Sequence, residues 1–203
     1  MTTLTKRAAL IAAAALTAGS LAACSSTSDN PTSGVNPRAT PTDSGTNNAE
    51  TATDVRSGDI AFAQMMIPHH QQAVEMADMA LGKTSASTEV RTLATDIKKA
   101  QDPEIETMQR WLSAWGAPAT ATHGMDHGSG MMSAADMDKL AAAEGVEFDR
   151  LWMTLMIDHH EGAVTMAQQV LTTTRNPEVH RLAEAIIAAQ RAEISTMQNL
   201  LRS

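Results

Sequence analysis

A thirteen-residue segment occurs twice in this sequence, and the two copies lie ninety positions apart. The first copy reads MMIPHHQQAVEMA over residues 65–77, and the second reads LMIDHHEGAVTMA over residues 155–167. With about 100° of rotation per residue, each copy predicts a helix with one His and two Met on a single apolar face, and the second His at the edge of that face. The candidate metal ligands of the two copies are Met66, His69, His70, Met76, Met156, His159, His160 and Met166.

The similarity continues into a second helix after each copy, at a spacing of eighty-nine. The matching pairs include Gln101 with Gln190, Glu104 with Glu193 and Met108 with Met197. The unit is therefore a helical hairpin, present at about 58–115 and again at 146–203. One hairpin cannot bury both faces of its helices, but two hairpins together form a continuous core. Strand patterns are absent, so we predict an all-α four-helix bundle made of two repeated hairpins.

Helix boundaries follow from capping residues and glycines. We expect the first helix to run from about Gly58 to Leu81, and the second from Ser87 to about Trp115. A short helix should open at Ser133, and Gly145 should separate it from the long third helix of the bundle. The fourth helix should begin at Asn176-Pro177-Glu178, where an N-cap, a first-turn proline and an acidic residue coincide.

The N-terminal quarter of the sequence predicts that the protein is exported and anchored to the cell membrane. Residues 1–23 resemble a lipoprotein signal peptide, with Lys6 and Arg7 before a short apolar run that ends in Leu21-Ala22-Ala23-Cys24. The only cysteine stands at the expected cleavage point, so we predict its lipidation and a location outside the cytoplasm, attached to the cell membrane. Residues 24–53 are rich in Ser, Thr and Pro and predict a disordered tether, which leaves 54–203 as one domain.

Charge excludes one class of partner. The formal net charge is −8, and it becomes −10 without residues 1–23, which carry Lys6 and Arg7 and no acidic residue. A nucleic-acid-binding protein needs basic faces to displace counterions from phosphates, so nucleic acid is not an expected partner. The sequence also contains no nucleotide-binding glycine pattern and no nucleophile motif.

Two further features could hold a metal. Glu104 and Glu193 fall in the middle of apolar helix faces, where a carboxylate is costly unless it is paired or coordinating. Each is either a hydrogen-bond partner of a histidine or a metal ligand, and helical angles do not distinguish these roles. The segment 116–133 contains alternating Met and His among flexible glycines, which favours a copper or silver capture loop over a His-rich linker without a metal role. Its candidate accessory ligands are His123, Met125, His127, Met131 and Met132.

The paired motifs M-I-P-H-H-x-x-A-x-x-M-A and M-I-x-H-H-x-G-A-x-x-M-A, with the Gln-x-x-Glu elements and the Gly-Met-Asp-His-Gly loop, resemble the domain of unknown function 305 (DUF305) family. The resemblance covers about Gly58 to Leu201. The family includes CopM-like periplasmic copper-binding proteins. It implies a ferritin-like four-helix bundle in the cell envelope that binds copper through Met and His. Asp158 stands where the first copy has Pro68, so the two hairpins need not bind alike.

Three functional hypotheses follow. The first is a lipid-anchored protein without enzymatic activity that captures or buffers Cu(I) or Cu(II). Thioether selects soft Cu(I), imidazole also binds copper, and a thiolate would be lost to oxidation outside the cytoplasm. The second is a ferritin-like di-metal oxidase, which the missing Glu-x-x-His pattern disfavours. The third is a metal-free structural or partner-binding envelope protein. The sequence leaves a homodimer and a copper-delivery partner open.

Overall fold

The computed structural model describes residues 46–119 and 130–203, with side chains from Arg56 onward. These residues belong to one compact unit, and all regular structure in the two described ranges is helical. The predicted signal peptide, Cys24 and the tether up to residue 45 lie outside the described residues. The helices are α1 (Thr46–Gly82), α2 (Thr88–Ala114), α3 (Ala134–Ala142), α4 (Gly145–Leu171) and α5 (Pro177–Arg202).

Most helix ends lie where the capping residues predict them. The Ser87 side chain accepts a hydrogen bond from the Val90 backbone N–H, and Ser133 forms a capping box with Asp136. Asn176 caps α5, with Pro177 in the first turn. The side chain of Asn176 accepts from the Glu178 backbone N–H at 2.9 Å. These local hydrogen bonds satisfy donors that the first helical turn leaves without a partner, which is why the caps are readable from sequence.

The start of α1 differs from the expectation. The helix begins at Thr46 rather than near Gly58, so the last eight residues of the predicted tether are helical. A glycine inside a helix costs only about 1 kcal/mol, which contacts with a neighbouring element can offset. Gly58 lies close to the connection between α4 and α5, where an added Cβ would stand 3.5 Å from the Thr173 hydroxyl.

Two hairpins form the bundle. α1 packs along α2, α4 packs along α5, and the hairpins meet mainly through α1 and α4. The C-terminal half of α1 lies against the N-terminal half of α4, and the Trp152 indole N–H donates to the Met76 backbone carbonyl at 2.9 Å. The predicted four-helix bundle is thus confirmed, with the two central helices antiparallel.

The buried core consists of two halves, one toward each end of the bundle. One half contains Met76, Trp152, Met156 and Met197, and the other contains Met66, Met108 and Met166. Each half takes methionines from both repeats, because α1 and α4 run in opposite directions. Across the described ranges, none of the helices combines the length and apolar character that crossing a membrane requires.

Candidate metal centre

Four histidines lie in the middle of the bundle, between the two halves of the core. His69 and His70 are on α1, His159 and His160 are on α4, and all four side chains belong to residues with 0% exposure. The ring centroids of His69 and His159 are 3.7 Å apart, and their planes are inclined by 38°. The crossing of α1 and α4 therefore brings the two copies of the sequence motif into direct contact.

The outer histidine of each repeat is held by a glutamate from the second helix of its hairpin. His70 Nε2 lies 2.8 Å from Glu104 Oε2, and His160 Nε2 lies 2.7 Å from Glu193 Oε2. Each glutamate side chain is 18% exposed, so it connects a buried ring with the surface. Of the two roles that the sequence left open for these glutamates, the structure shows the hydrogen bond to histidine.

This pairing has a chemical consequence for the outer histidines. When Nε2–H donates to a carboxylate, the lone pair of a neutral imidazole is on Nδ1. The Nδ1 atoms of His70 and His160 are buried and have no hydrogen-bond partner among the described residues. A carboxylate on one ring nitrogen and a free lone pair on the other is the arrangement in which histidine commonly binds metals.

The electrostatic environment keeps His159 neutral. Burial is the main cause that lowers the pKa of His159 well below its ordinary value, because imidazolium loses its hydration inside the core. Repulsion from the other three histidines lowers this pKa further, and a hydrogen bond with the backbone of His69 acts weakly in the opposite direction. A neutral ring can offer a lone pair to a metal ion, whereas imidazolium cannot.

The four predicted methionine ligands flank the histidines in pairs. Met66 and Met166 belong to one half of the core, and Met76 and Met156 belong to the other. All four are at least 96% buried. In the described ranges, no three His, Cys, Asp or Glu side chains are arranged to hold a metal ion. A site built here would therefore depend on thioether sulfur as well as imidazole nitrogen.

The Met/His-rich segment is attached close to the histidines at both of its described ends. Near the start of this segment (residues 116–133), the Pro118 carbonyl accepts a hydrogen bond from Gln64 Nε2 at 2.8 Å. Near its end, the Met132 backbone makes two hydrogen bonds with the Gln72 amide, of 2.7 and 3.0 Å. Met131 and Met132 are half-buried there, whereas His123, Met125 and His127 lie outside the described residues.

Gly130 shows how closely this segment approaches α4. Its φ angle is +99°, and a Cβ at this position would lie 2.7 Å from the Asp158 carbonyl oxygen and 3.1 Å from that of His159. Only glycine allows both this conformation and this distance. The segment after residue 129 is thus fixed between α1 at Gln72 and α4 next to His159.

Sequence reasoning assigned no role to two buried glutamines that precede the paired glutamates. Gln101 and Gln190 are 2% and 3% exposed, and one turn later on the same helices stand the two paired glutamates. In the part of the chain that the structure describes, the side-chain nitrogen and oxygen of Gln101 have no hydrogen-bond partner, and the side-chain oxygen of Gln190 has none either. Their match in the repeat was visible, but an amide among apolar residues gives no signal of burial until the helices are paired.

A second pair of residues was also overlooked. Asp59 and Asp149 stand ninety positions apart, like the histidines, and both are buried. Asp149 accepts the Ser87 backbone N–H with both carboxylate oxygens, at 3.1 and 3.2 Å. Asp59 has a hydrogen bond with the Thr174 side chain. Each aspartate therefore ties the first helix of its own hairpin to the connection inside the other hairpin.

Comparison with known proteins identifies the family of this chain. The family model described as "Domain of unknown function (DUF305)" matches residues 59–201. This chain belongs to the DUF305 family. A DUF305 member described as a putative secreted protein from Streptomyces coelicolor is 34% identical, with a TM-score of 0.67 over 71% of this chain and 92% of that one.

Solved structures of CopM are also similar to this DUF305 protein. CopM in the Cu(I)-bound form is 38% identical with a TM-score of 0.60, and the Cu(II)-bound form is 41% identical with a TM-score of 0.62. Both comparisons cover 71% of this chain and 95% of CopM. The uncharacterized protein L153 of Acanthamoeba polyphaga mimivirus is 36% identical over 53 residues, which are 26% of this chain and 35% of that protein.

Proposed function

We propose that this protein binds copper in the middle of its bundle, at the contact between α1 and α4. The observation that carries the proposal is the meeting of four fully buried histidines from two repeats, between two methionine-containing halves of the core. The proposed ligands are drawn from Met66, His69, His70, Met76, Met156, His159, His160 and Met166.

Burial supports a ligand role for these histidines. An imidazole that leaves water without gaining partners costs free energy, and a protein core usually avoids that cost by using apolar side chains instead. Here two rings keep Nδ1 atoms without a hydrogen-bond partner among the described residues, and two buried glutamines stand one turn from the glutamates. A metal ion bound to the free lone pairs would offset the free-energy cost of burying these nitrogens.

The available donor atoms favour copper, and Cu(I) in particular. Thioether sulfur selects soft ions, whereas Mg²⁺, Ca²⁺ and most iron sites need several carboxylates. Glu104 and Glu193 are the only carboxylates hydrogen-bonded to these histidines in the described ranges. CopM, at 38% and 41% identity, has been solved in Cu(I)-bound and Cu(II)-bound forms.

We further propose that the protein captures or buffers copper without catalysing a reaction. A ferritin-like oxidase would use carboxylates from all four helices together with Glu-x-x-His motifs. In this chain the four buried histidines are on α1 and α4, and the glutamates paired with them are on α2 and α5. Lipidation at Cys24 would keep the site on the outer side of the cell membrane.

The Met/His-rich segment is proposed as an accessory site. Met131 and Met132 lie near the start of the second described range, and Met132 is hydrogen-bonded to Gln72 on α1. His123, Met125 and His127 precede them in sequence. A segment with several such donors would pass an ion inward or onward by exchanging one ligand at a time. Glu104 and Glu193 would act by orienting His70 and His160.

A Cu(I) titration under anaerobic conditions tests the proposal. The purified protein would compete with a chromophoric Cu(I) chelator, beside a variant with His69, His70, His159 and His160 changed to Leu. We expect tight binding that this variant loses. The matched control is His180→Leu, because His180 is an exposed histidine on α5 and should not affect binding.

A variant in which residues 123–132 are replaced by Gly and Ser separates the two candidate sites. If the histidine variant alone loses copper, the bundle holds the ion and the segment is accessory. If wild-type protein takes up no copper, or the histidine variant binds as tightly as wild type, the proposed core site is wrong.

A further inference from the structure

An open groove of about 530 Å³ lies between the first half of α2 and the second half of α5. Three carboxylates stand on its walls, from Glu89, Asp96 and Glu193. The rest of its lining, all in the described part of the chain, consists of threonine hydroxyls and small or apolar side chains, without any Lys, Arg or His. The groove therefore offers oxygen donors and negative potential to a cation.

The groove reaches the histidines through Glu193. Glu193 is one of the residues that line the groove, and its carboxylate lies 2.7 Å from His160 Nε2. His160 itself is fully buried, and its Nδ1 has no hydrogen-bond partner among the described residues. Leu93 and Leu200, which form part of the groove, pack on the half of the core that contains Met76 and Met156.

The repeat-equivalent surface, between the first half of α5 and the second half of α2, carries less negative charge. At the spacing of eighty-nine, Glu89 corresponds to Glu178, but Asp96 corresponds to Ala185 and Thr92 to Arg181. Glu104 and Glu193 have the same exposure, so both histidine–glutamate pairs extend to the surface. With Arg181 beside Glu178 and Glu104, the equivalent surface carries one net negative charge, against three in the groove.

We propose that the groove between α2 and α5 is the access route by which a copper ion reaches and leaves the His160 side of the centre. This inference rests on the proposed copper binding and adds where the ion enters. The carboxylates of Glu89 and Asp96 attract a hydrated cation to the opening. Glu193 then brings it next to His160, where soft donors replace water. The oxygen donors hold the ion weakly, which suits a path rather than a store.

Stopped-flow measurement of Cu(I) transfer from a competing chelator tests whether the carboxylates of Glu89 and Asp96 speed copper uptake. The variant Glu89→Gln with Asp96→Asn should slow uptake about fivefold at low salt. Its matched control is Glu178→Gln with Glu184→Gln, which removes two charges from the other hairpin and should leave uptake near the wild-type rate. The difference between the two variants should disappear at about 0.5 M salt, where charges farther apart than a few ångströms are screened.

Thr196→Trp tests the path by filling it. Thr196 lines the groove, and its repeat equivalent Thr107 has the same hydrogen bond to the backbone four residues earlier. We expect Thr196→Trp to slow uptake and release alike, with the equilibrium affinity within about twofold of wild type. Thr107→Trp should change neither rate.

The outcomes separate this route from the proposed function. Equal slowing by both double variants, or equal rates for both tryptophan variants, would overturn the route while copper affinity remained intact. A wild-type protein that takes up no copper at equilibrium would overturn the proposed function itself, and the route with it.

Discussion

The rings of His69 and His159 contact each other at a centroid distance of 3.7 Å, across the contact between the two hairpins. The two residues are equivalent in the sequence repeat, so the contact joins the same position of both copies. A duplicated hairpin with one inward histidine thus produces a pair of adjacent imidazoles without any further specialisation. The same crossing places methionines from both copies on either side of that pair.

Replacing a central histidine by leucine should separate stability from binding. His159 is fully buried, and replacing a buried polar group by an apolar one of similar size is often neutral or stabilising. We expect His159→Leu to leave the free energy of unfolding unchanged or to raise it by up to about 2 kcal/mol, measured by urea denaturation with a chelator present.

The same variant should lose Cu(I) affinity by more than about tenfold, because removing a ligand costs more than removing its outer partner. His180→Leu is the control, since its ring is exposed and should affect neither property. Strong destabilisation of His159→Leu with unchanged copper affinity would mean that His159 is a structural residue.

The glutamates that hold the outer histidines should tune affinity. Glu193→Gln keeps a hydrogen-bond acceptor next to His160 but removes the negative charge that favours a cation nearby. We expect Cu(I) affinity to fall about 10- to 100-fold, which is the usual effect of losing a partner that orients a ligating histidine. The measurement is chelator competition at equilibrium.

Glu104→Gln is the companion variant, because Glu104 holds His70 in the same way. Similar losses in both variants would mean that both hairpins contribute to one binding event. Unchanged affinity in both would show that these hydrogen bonds only hold together the two helices of each hairpin.

Local chemistry made most of the fold predictable. The caps at Ser87, Ser133 and Asn176 depend on residues within three positions, and the structure has each of them. The spacing of the repeat predicted two hairpins, because helices of equal length and pattern must bury equal faces. The start of α1 was missed because Gly58 weakens a helix locally, whereas its contact near Thr173 comes from a distant part of the chain.

The site was only half predictable, for a physical reason. A helical wheel gives the direction of a side chain, and it correctly placed His69 and His159 inward. It put His70 and His160 at the edge of a face, but the second helix of each hairpin covers that edge and buries both rings. The contact of Gln72 with Met132 joins residues sixty positions apart, and such a contact has no local sequence signal.

Gly130 should tolerate no side chain. In Gly130→Ala the new Cβ would lie 2.7 Å from the Asp158 carbonyl oxygen, in a backbone conformation that alanine rarely adopts. We expect a loss of about 1–3 kcal/mol in the free energy of unfolding, measured by urea denaturation. Relaxation of the strain should also move the segment away from α4.

Gly82→Ala is the matched control. Gly82 ends α1, and no atom lies within 4 Å of a Cβ added there. Alanine should be neutral or stabilise the protein by up to about 1 kcal/mol, because it restricts the unfolded chain and favours helix. Equal effects of the two substitutions would contradict the close approach at Gly130.

The equivalent aspartates Asp59 and Asp149 should respond in opposite ways to substitution. Burial raises the pKa of Asp59, and its hydrogen bond with Thr174 lowers that pKa by less. The folded protein therefore holds this proton more strongly than the unfolded chain does. Stability from this group is fully present below the unfolded pKa near 4 and is lost as the pH rises through the raised value in the folded state.

At pH 7 the buried carboxylate of Asp59 is thus a cost. Asp59→Asn should raise the free energy of unfolding at pH 7 by at most about 1 kcal/mol, because the amide has no charge to desolvate and can still accept the hydrogen bond from Thr174. The gain should shrink as the pH falls toward 4, where Asp59 becomes protonated. Urea denaturation at several pH values measures both effects.

Asp149→Ala should instead destabilise the protein at pH 7 by about 1 kcal/mol, because both oxygens of Asp149 accept the Ser87 backbone N–H at the start of α2. The comparison is informative because the two aspartates occupy the same place in the repeat and differ in their partners. If Asp59→Asn lowered stability at pH 7 as much as Asp149→Ala does, the hydrogen bond with Thr174 would outweigh the cost of burial, and the raised pKa of Asp59 would be refuted.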